Sequence, residues 1–215
     1  MDLNVIHSTI IDVFRKQKLD EPAHGIIDEF LDLSQIEVYQ DKFNKYGLSD
    51  DSHDSLAPFK ITVPFTASAN GAISYPTDYL NLVSVYVTNY DNKLQRQVDS
   101  KVMFVNDDKL LAAKNSQIRP ISNKKPIGTS SSTSINVFPA SNYYGTLIYF
   151  KRPQAPKYAF SLSGRILTYD ITNSVQLLWN DVYVNEIIAK TIGYLGLRFS
   201  DNDSIQFSQL KQQAK

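Results

Sequence analysis

Apolar positions recur every three or four residues at both ends of the chain and every second residue across its middle. Residues 3–46 and 174–214 carry the helical spacing, while 59–169 reads as short alternating strands separated by turns. Leu3, Ile6, Ile10, Val13 and Phe14 share one face of a first helix over 3–17, with Arg15 and Lys16 in the last turn, where the helix dipole favours cations. Asp20-Glu21-Pro22 interrupts it. A second helix is predicted from His24 to Tyr46, ended by Gly47, with an apolar line through Ile26, Phe30, Leu33, Ile36, Tyr39, Phe43 and Tyr46. Leu48 to Pro58, carrying Asp50, Asp51, His53 and Asp54, reads as a polar linker.

The strand region opens with Phe59, Ile61 and Val63 on one face, and Ala69-Asn70-Gly71 marks a turn between Phe65 and Ile73. Leu82 to Thr88 alternates Val83, Val85 and Val87 with Ser84, Tyr86 and Thr88, the pattern of a half-buried strand. Asn89 to Asn92 turns the chain into Leu94–Val98. Asn106-Asp107-Asp108 caps a short helix through Leu110, Leu111 and Ala113. Residues 115–134 read as loop. Ile135, Val137 and Phe138 begin a hairpin that turns at Ser141-Asn142 and returns as Thr146 to Phe150, and a last strand covers Ile166 to Tyr169.

Asn173 and Ser174 are N-cap residues for a helix predicted from Val175 to about Phe199. Its large residues are Val184, Ile188, Ile192, Leu195 and Phe199; a second line, Asn185, Ala189, Gly193 and Gly196, is small. Two glycines inside a helix cost roughly 1 kcal/mol each relative to alanine. The small line is therefore expected to receive another helix backbone, from the N-terminal pair or a neighbouring subunit, with a kink as the alternative. Ser200-Asp201-Asn202-Asp203 caps a short terminal helix bearing Ile205, Phe207 and Leu210. The fold predicted is α+β: a helical body built from both chain ends (1–58 and 171–215) with an inserted antiparallel β domain (59–170).

Charge changes this picture by exclusion. Lys plus Arg and Asp plus Glu number 22 each, so the chain lacks the basic excess of a protein that grips nucleic acid through its phosphates. A wall past which DNA slides remains compatible with neutrality. Without cysteine there are no disulfides, thiolate zinc sites or thiol nucleophiles. The start Met1-Asp2-Leu3-Asn4 has no signal-peptide character and no apolar run reaches membrane-spanning length, so a protein assembled in the cytoplasm without membrane anchoring is expected. The 13 tyrosines suit interfaces, and equally suit strands.

Chemistry is sparse. His7, His24 and His53 have no carboxylate at a ligand-like spacing, and the familiar hydrolase, zincin, phosphate-loop and dinucleotide signatures are absent. No catalytic residue, cofactor or metal is expected. Arg119, Lys124 and Lys125 beside the run Ser130–Ser134 are the one local basic feature, read either as a flexible arm touching DNA or an acidic neighbour, or as a solvated loop.

A succession of short motifs resembles a known family. Tyr75-Pro76-x-Asp78-Tyr79-Leu80 leads into the valine strand; Val137-Phe138-Pro139 and Tyr149-Phe150-Lys151-Arg152-Pro153 follow; then come Tyr169-Asp170 and Leu195-Gly196-Leu197. Over roughly residues 20–210 the chain is similar to head-to-tail connector proteins of short-tailed bacteriophages, the adaptor or tail tubular protein A-like ring proteins, including those of crAss-like phages. The resemblance implies a structural virion protein of the neck, a homo-oligomeric ring, usually twelve-fold, between the portal protein and the next ring or tail protein. DNA in transit would cross its lumen without sequence specificity. In connectors the C-terminal stretch often docks on the portal, which assigns that role to Ile205, Phe207 and Leu210, although Ser200–Lys215 is short for it. The competing expectation is a β-rich binding module or tail accessory protein that attaches to surface carbohydrate.

Overall fold

A computed structural model describes residues 1–16, 21–47, 50–91, 95–116, 120–163 and 166–198. The fold is α+β. Its elements in chain order are α1 (Leu3–Lys16), α2 (His24–Asn44), α3 (Asp50–Leu56), β1 (Lys60–Thr66), β2 (Ala72–Ser74), β3 (Tyr79–Asp91), β4 (Arg96–Lys101) and β5 (Met103–Phe104). There follow α4 (Asp107–Lys114), β6 (Ile127–Ser130), β7 (Ser134–Phe138), β8 (Tyr144–Lys151), β9 (Phe160–Ser163), β10 (Ile166–Tyr169) and α5 (Asp181–Arg198). They divide into two compact units: Met1–Pro58 with Pro153–Lys215, and Phe59–Arg152. The second ends at Arg152, not at residue 170, because the antiparallel pair β9–β10 clusters with the helices.

In the first unit α1 buries Leu3, Ile6, His7, Ile10 and Phe14, the face its periodicity predicts apart from the histidine. The stripe of α2 is displaced by one position. Ile27, Leu31, Ser34, Gln35, Val38 and Tyr39 are the buried residues, and Leu33 is 46% exposed. The cause is polar residues inside the buried stripe. Ser34 accepts from the Thr191 hydroxyl at 2.9 Å, and Gln35 Nε2 donates to the Gln154 carbonyl at 2.8 Å, so burial leaves neither amide nor hydroxyl unsatisfied. A reading that follows apolar residues alone passes beside them.

The last helix starts at Asp181, after Asn180, and not at Val175. Ser174 looks like a cap, but its hydroxyl donates to the Asp170 carbonyl and accepts the Ala159 N–H, while Val175 bridges Lys157. These contacts hold the segment beside the β9–β10 pair. The true start has Tyr183 and Val184 N–H groups donating to the Asn180 carbonyl.

The second unit contains two four-stranded sheets, ordered β1-β8-β3-β4 and β2-β7-β6-β5. The first is antiparallel throughout; the second has one parallel pair, β5 with β6. Val85, Val87, Leu147 and Tyr149 from the first meet Ile73, Ile135 and Val137 from the second in one core. Two strand expectations are corrected here. β7 and β8 do not form a hairpin, since β7 pairs with β2 and β6 while β8 lies between β1 and β3. Residues 127–130, read as loop, form β6, a short strand of Ile-Gly-Thr-Ser flanked on both edges by β5 and β7. Asp78 ties the resembling motifs together: its carboxylate accepts from the Tyr149 hydroxyl at 2.8 Å and its carbonyl from the Arg152 N–H at 2.8 Å.

Candidate interaction site

The α2–α5 contact is built by one side of α5. Thr191 meets Ser34, Lys190 Nζ lies 3.0 Å from Glu37 Oε2, and the Tyr194 ring stacks on Phe30 with centroids 6.1 Å apart. Tyr194 also donates its hydroxyl to Glu37. Burial alone would raise the Glu37 pKa, but the Tyr194 and Lys190 hydrogen bonds and the lysine charge outweigh it and hold the carboxyl below its ordinary value. Burial, reinforced by that carboxylate, pushes Tyr194 up to about 12.

At about 100° per residue, Asn185, Ala189 and Gly196 fall at least about 100° around the helix from Lys190, Thr191 and Tyr194, while Gly193 lies about 60° from Lys190. Of these four, Ala189, Gly193 and Gly196 are buried and Asn185 is exposed. Gly193 nevertheless lies only about 20° around the helix from Glu186, which approaches Lys42 of α2 at 3.8 Å, so the small-residue line borders the side of α5 that meets α2. Ile205, Phe207 and Leu210 lie outside the described residues, as does Arg119.

Lys124 and Lys125 are exposed on a turn with a fixed base. The Lys125 N–H donates to the Ser122 carbonyl at 2.9 Å. Asn123 anchors the turn from both ends of its side chain and backbone: its carbonyl accepts from Asn89 Nδ2 at 2.7 Å and its Oδ1 from the Tyr143 hydroxyl at 3.0 Å. Beside this turn is a groove of about 680 Å³, rimmed by Lys101, Lys124 and Lys125 and lined by apolar residues including Met103, Ile121 and Ile127. Met103 is 67% exposed.

One cluster escaped sequence reading. His7, 1% exposed, places its Nδ1 at 2.8 Å from His24 Nδ1 and its Nε2 at 3.0 Å from Asp28 Oδ1. The carboxylate only accepts, so His7 Nε2 carries a proton and, in neutral His7, Nδ1 accepts from His24 Nδ1–H. The Tyr158 N–H donates to Asp28 Oδ2 at 2.9 Å, its ring stacks on His24 at 4.1 Å, and its hydroxyl donates to Asn4 Oδ1 at 2.9 Å. This arrangement joins α1, α2 and the segment before β9. Burial, followed by the neighbouring His7 charge, lowers the His24 pKa against an opposing pull from Asp28. His24 and Asp28 stand at i,i+4 on α2, a spacing present in the sequence, but His7 reaches them from α1, which no local spacing could reveal.

Among the described residues no group of three His, Asp or Glu is arranged to hold a metal ion, and no helix is long and apolar enough to cross a membrane. No protein-family model matches the chain, and the search of curated proteins finds no match.

Proposed function

We propose that this protein is a structural virion protein, a head-to-tail connector whose copies form a neck ring between portal and tail around the DNA exit channel. The observation that carries the reading is the division of labour along the chain: both ends contribute helices to one compact unit, and the middle forms a separate unit of two sheets. Connectors use a helical body for the ring and a β extension toward the next ring. The family resemblance supports the same reading, because its two best-formed motifs converge on Asp78. Neutral net charge suits a lumen wall that DNA must slide past. In this reading Ser200–Lys215 docks on the portal, and the β unit faces the tail-side partner.

The test is native mass spectrometry and negative-stain microscopy of the full chain, alone and with its portal protein. The expected result is a closed ring or a stoichiometric portal complex, weakened by deletion of residues 200–215. A protein that stays a single copy, ignores portal and is retained on a glycan column would replace the connector with the carbohydrate-binding module.

A further inference from the structure

The groove beside the Lys124 turn combines the cations of Lys101, Lys124 and Lys125 with an apolar lining. Such a surface selects an acidic partner that also offers an apolar side chain. The chain carries that chemistry itself. α4 begins with Asp107 and Asp108, both exposed, and Leu111 one turn later is 62% exposed. At about 100° per residue Leu111 projects between the two aspartates. On the same arc arithmetic Lys109 lies well away from Leu111, on the far side of Asp108. Leu110 is buried, and Lys114 is engaged over the Phe138 ring at 4.1 Å, so α4 is held with its acidic face outward. Its start is fixed by the Asn106 side chain, which accepts from the Lys109 N–H at 3.1 Å.

We infer that the groove rimmed by Lys101, Lys124 and Lys125 receives the Asp107–Asp108–Leu111 face of α4 from a second copy of this chain. The lysines meet the carboxylates while Leu111 enters against Met103 and Ile121. Because groove and helix face are different patches, the contact is heterologous, and repetition propagates it from copy to copy until it closes or extends. It rests on the ring reading and assigns that ring one of its interfaces. Nucleic acid fits less well, since an apolar lining offers a phosphate backbone nothing.

The experiment uses charge reversal in the full chain, read by sedimentation velocity. K124E/K125E and D107K/D108K should each weaken self-association by at least about tenfold, because like charges then face each other across the contact. Mixing the two variants should restore assembly, as should all four substitutions in one chain. All four positions are exposed, and unchanged melting curves verify the fold. Reversal variants that assemble like the parent, or a mixture that fails to recover, overturn this interface; rings that still form with portal would leave the connector reading standing. Loss of duplex DNA binding without loss of self-association also overturns it, in favour of a nucleic-acid groove. A parent chain that neither self-associates nor joins portal sinks both.

Discussion

The Nδ1 atoms of His7 and His24 face each other at 2.8 Å, a contact that requires one nitrogen to carry a proton and the other to lack it. A single added proton is tolerated, because the charged ring can donate to the neutral one. Two charged rings place N–H against N–H, and the contact is lost. Asp28 meets one side of this pair and the Tyr158 ring stacks on both imidazoles.

Stability should fall in acid through this pair. The His24 pKa is lowered in the folded state below its ordinary 6.5, so the unfolded chain binds protons first as pH falls. The contribution is fully present above about pH 7, declines as pH drops through 6.5, and is gone below the folded value. Urea midpoints measured between pH 8 and 5 (about a decade either side of the histidine range) should show this slope, and H24Q should flatten it. An unchanged slope in H24Q would assign the acid sensitivity elsewhere.

Asp28→Ala should destabilise by about 1–3 kcal/mol, because it strands the buried His7 Nε2–H and the half-buried Tyr158 N–H. Chemical denaturation at neutral pH measures this. Asp28→Asn should recover part of the loss through its remaining carbonyl oxygen.

The buried hydroxyl pair between α2 and α5 is suited to a double-mutant cycle. Thr191→Val should cost about 1–3 kcal/mol by leaving the Ser34 hydroxyl without its partner, and Ser34→Ala added to it should cost less than the sum of the single changes. Additive losses would show that the two hydroxyls act independently.

Gly145 in β8 has no room for a side chain: a Cβ there would sit 2.0 Å from the Tyr86 carbonyl oxygen. Gly145→Ala should therefore cost about 1–3 kcal/mol or more, since β3 would have to move away from β8. Thermal melting of the variant is the measurement, with Gly25→Ala, where nothing lies within 4 Å, as the tolerated control.

On α5, position matters more than residue size. Gly193→Leu should overpack a buried site by roughly 1–3 kcal/mol, whereas Asn185→Ala, at an exposed site of the same line, should stay within about 0.5 kcal/mol. Equal responses from the two would mean that the line faces one environment throughout.

Locally strong patterns were legible. The buried face of α1, the valine strand within β3 and the Asn106 cap of α4 follow from periodicity and cap chemistry that neighbouring residues decide among themselves. Errors arose where distant partners decide. Ser34 and Gln35 are buried because Thr191 and Gln154 satisfy them, and β6 is a strand because β5 and β7 flank it. Ser174 mimics a helix cap until Ala159 and Asp170 occupy its hydroxyl. The His7–His24–Asp28 contact is hidden for the same reason, as it exists only once α1 lies against α2. Lys124 and Lys125 were visible as charges, but the groove beside them depends on Lys101 of β4 and Met103 of β5 arriving beside them.

The register that pairs Lys60 with Phe150 puts the entry and exit of the second unit on adjacent strands. For the helical unit, whose α2 and α5 lie on either side of that excursion in sequence, the whole Phe59–Arg152 segment is a loop that must be closed. Closing a flexible loop of that length costs roughly 4 kcal/mol in chain entropy by the logarithmic law. Once the sheets have formed, β1 and β8 already hold the two ends together, and α5 finds α2 as though the intervening chain were a short turn. The sandwich thus acts as a clasp in folding, and damage to the β1–β8 seam should delay the docking of α5 on α2.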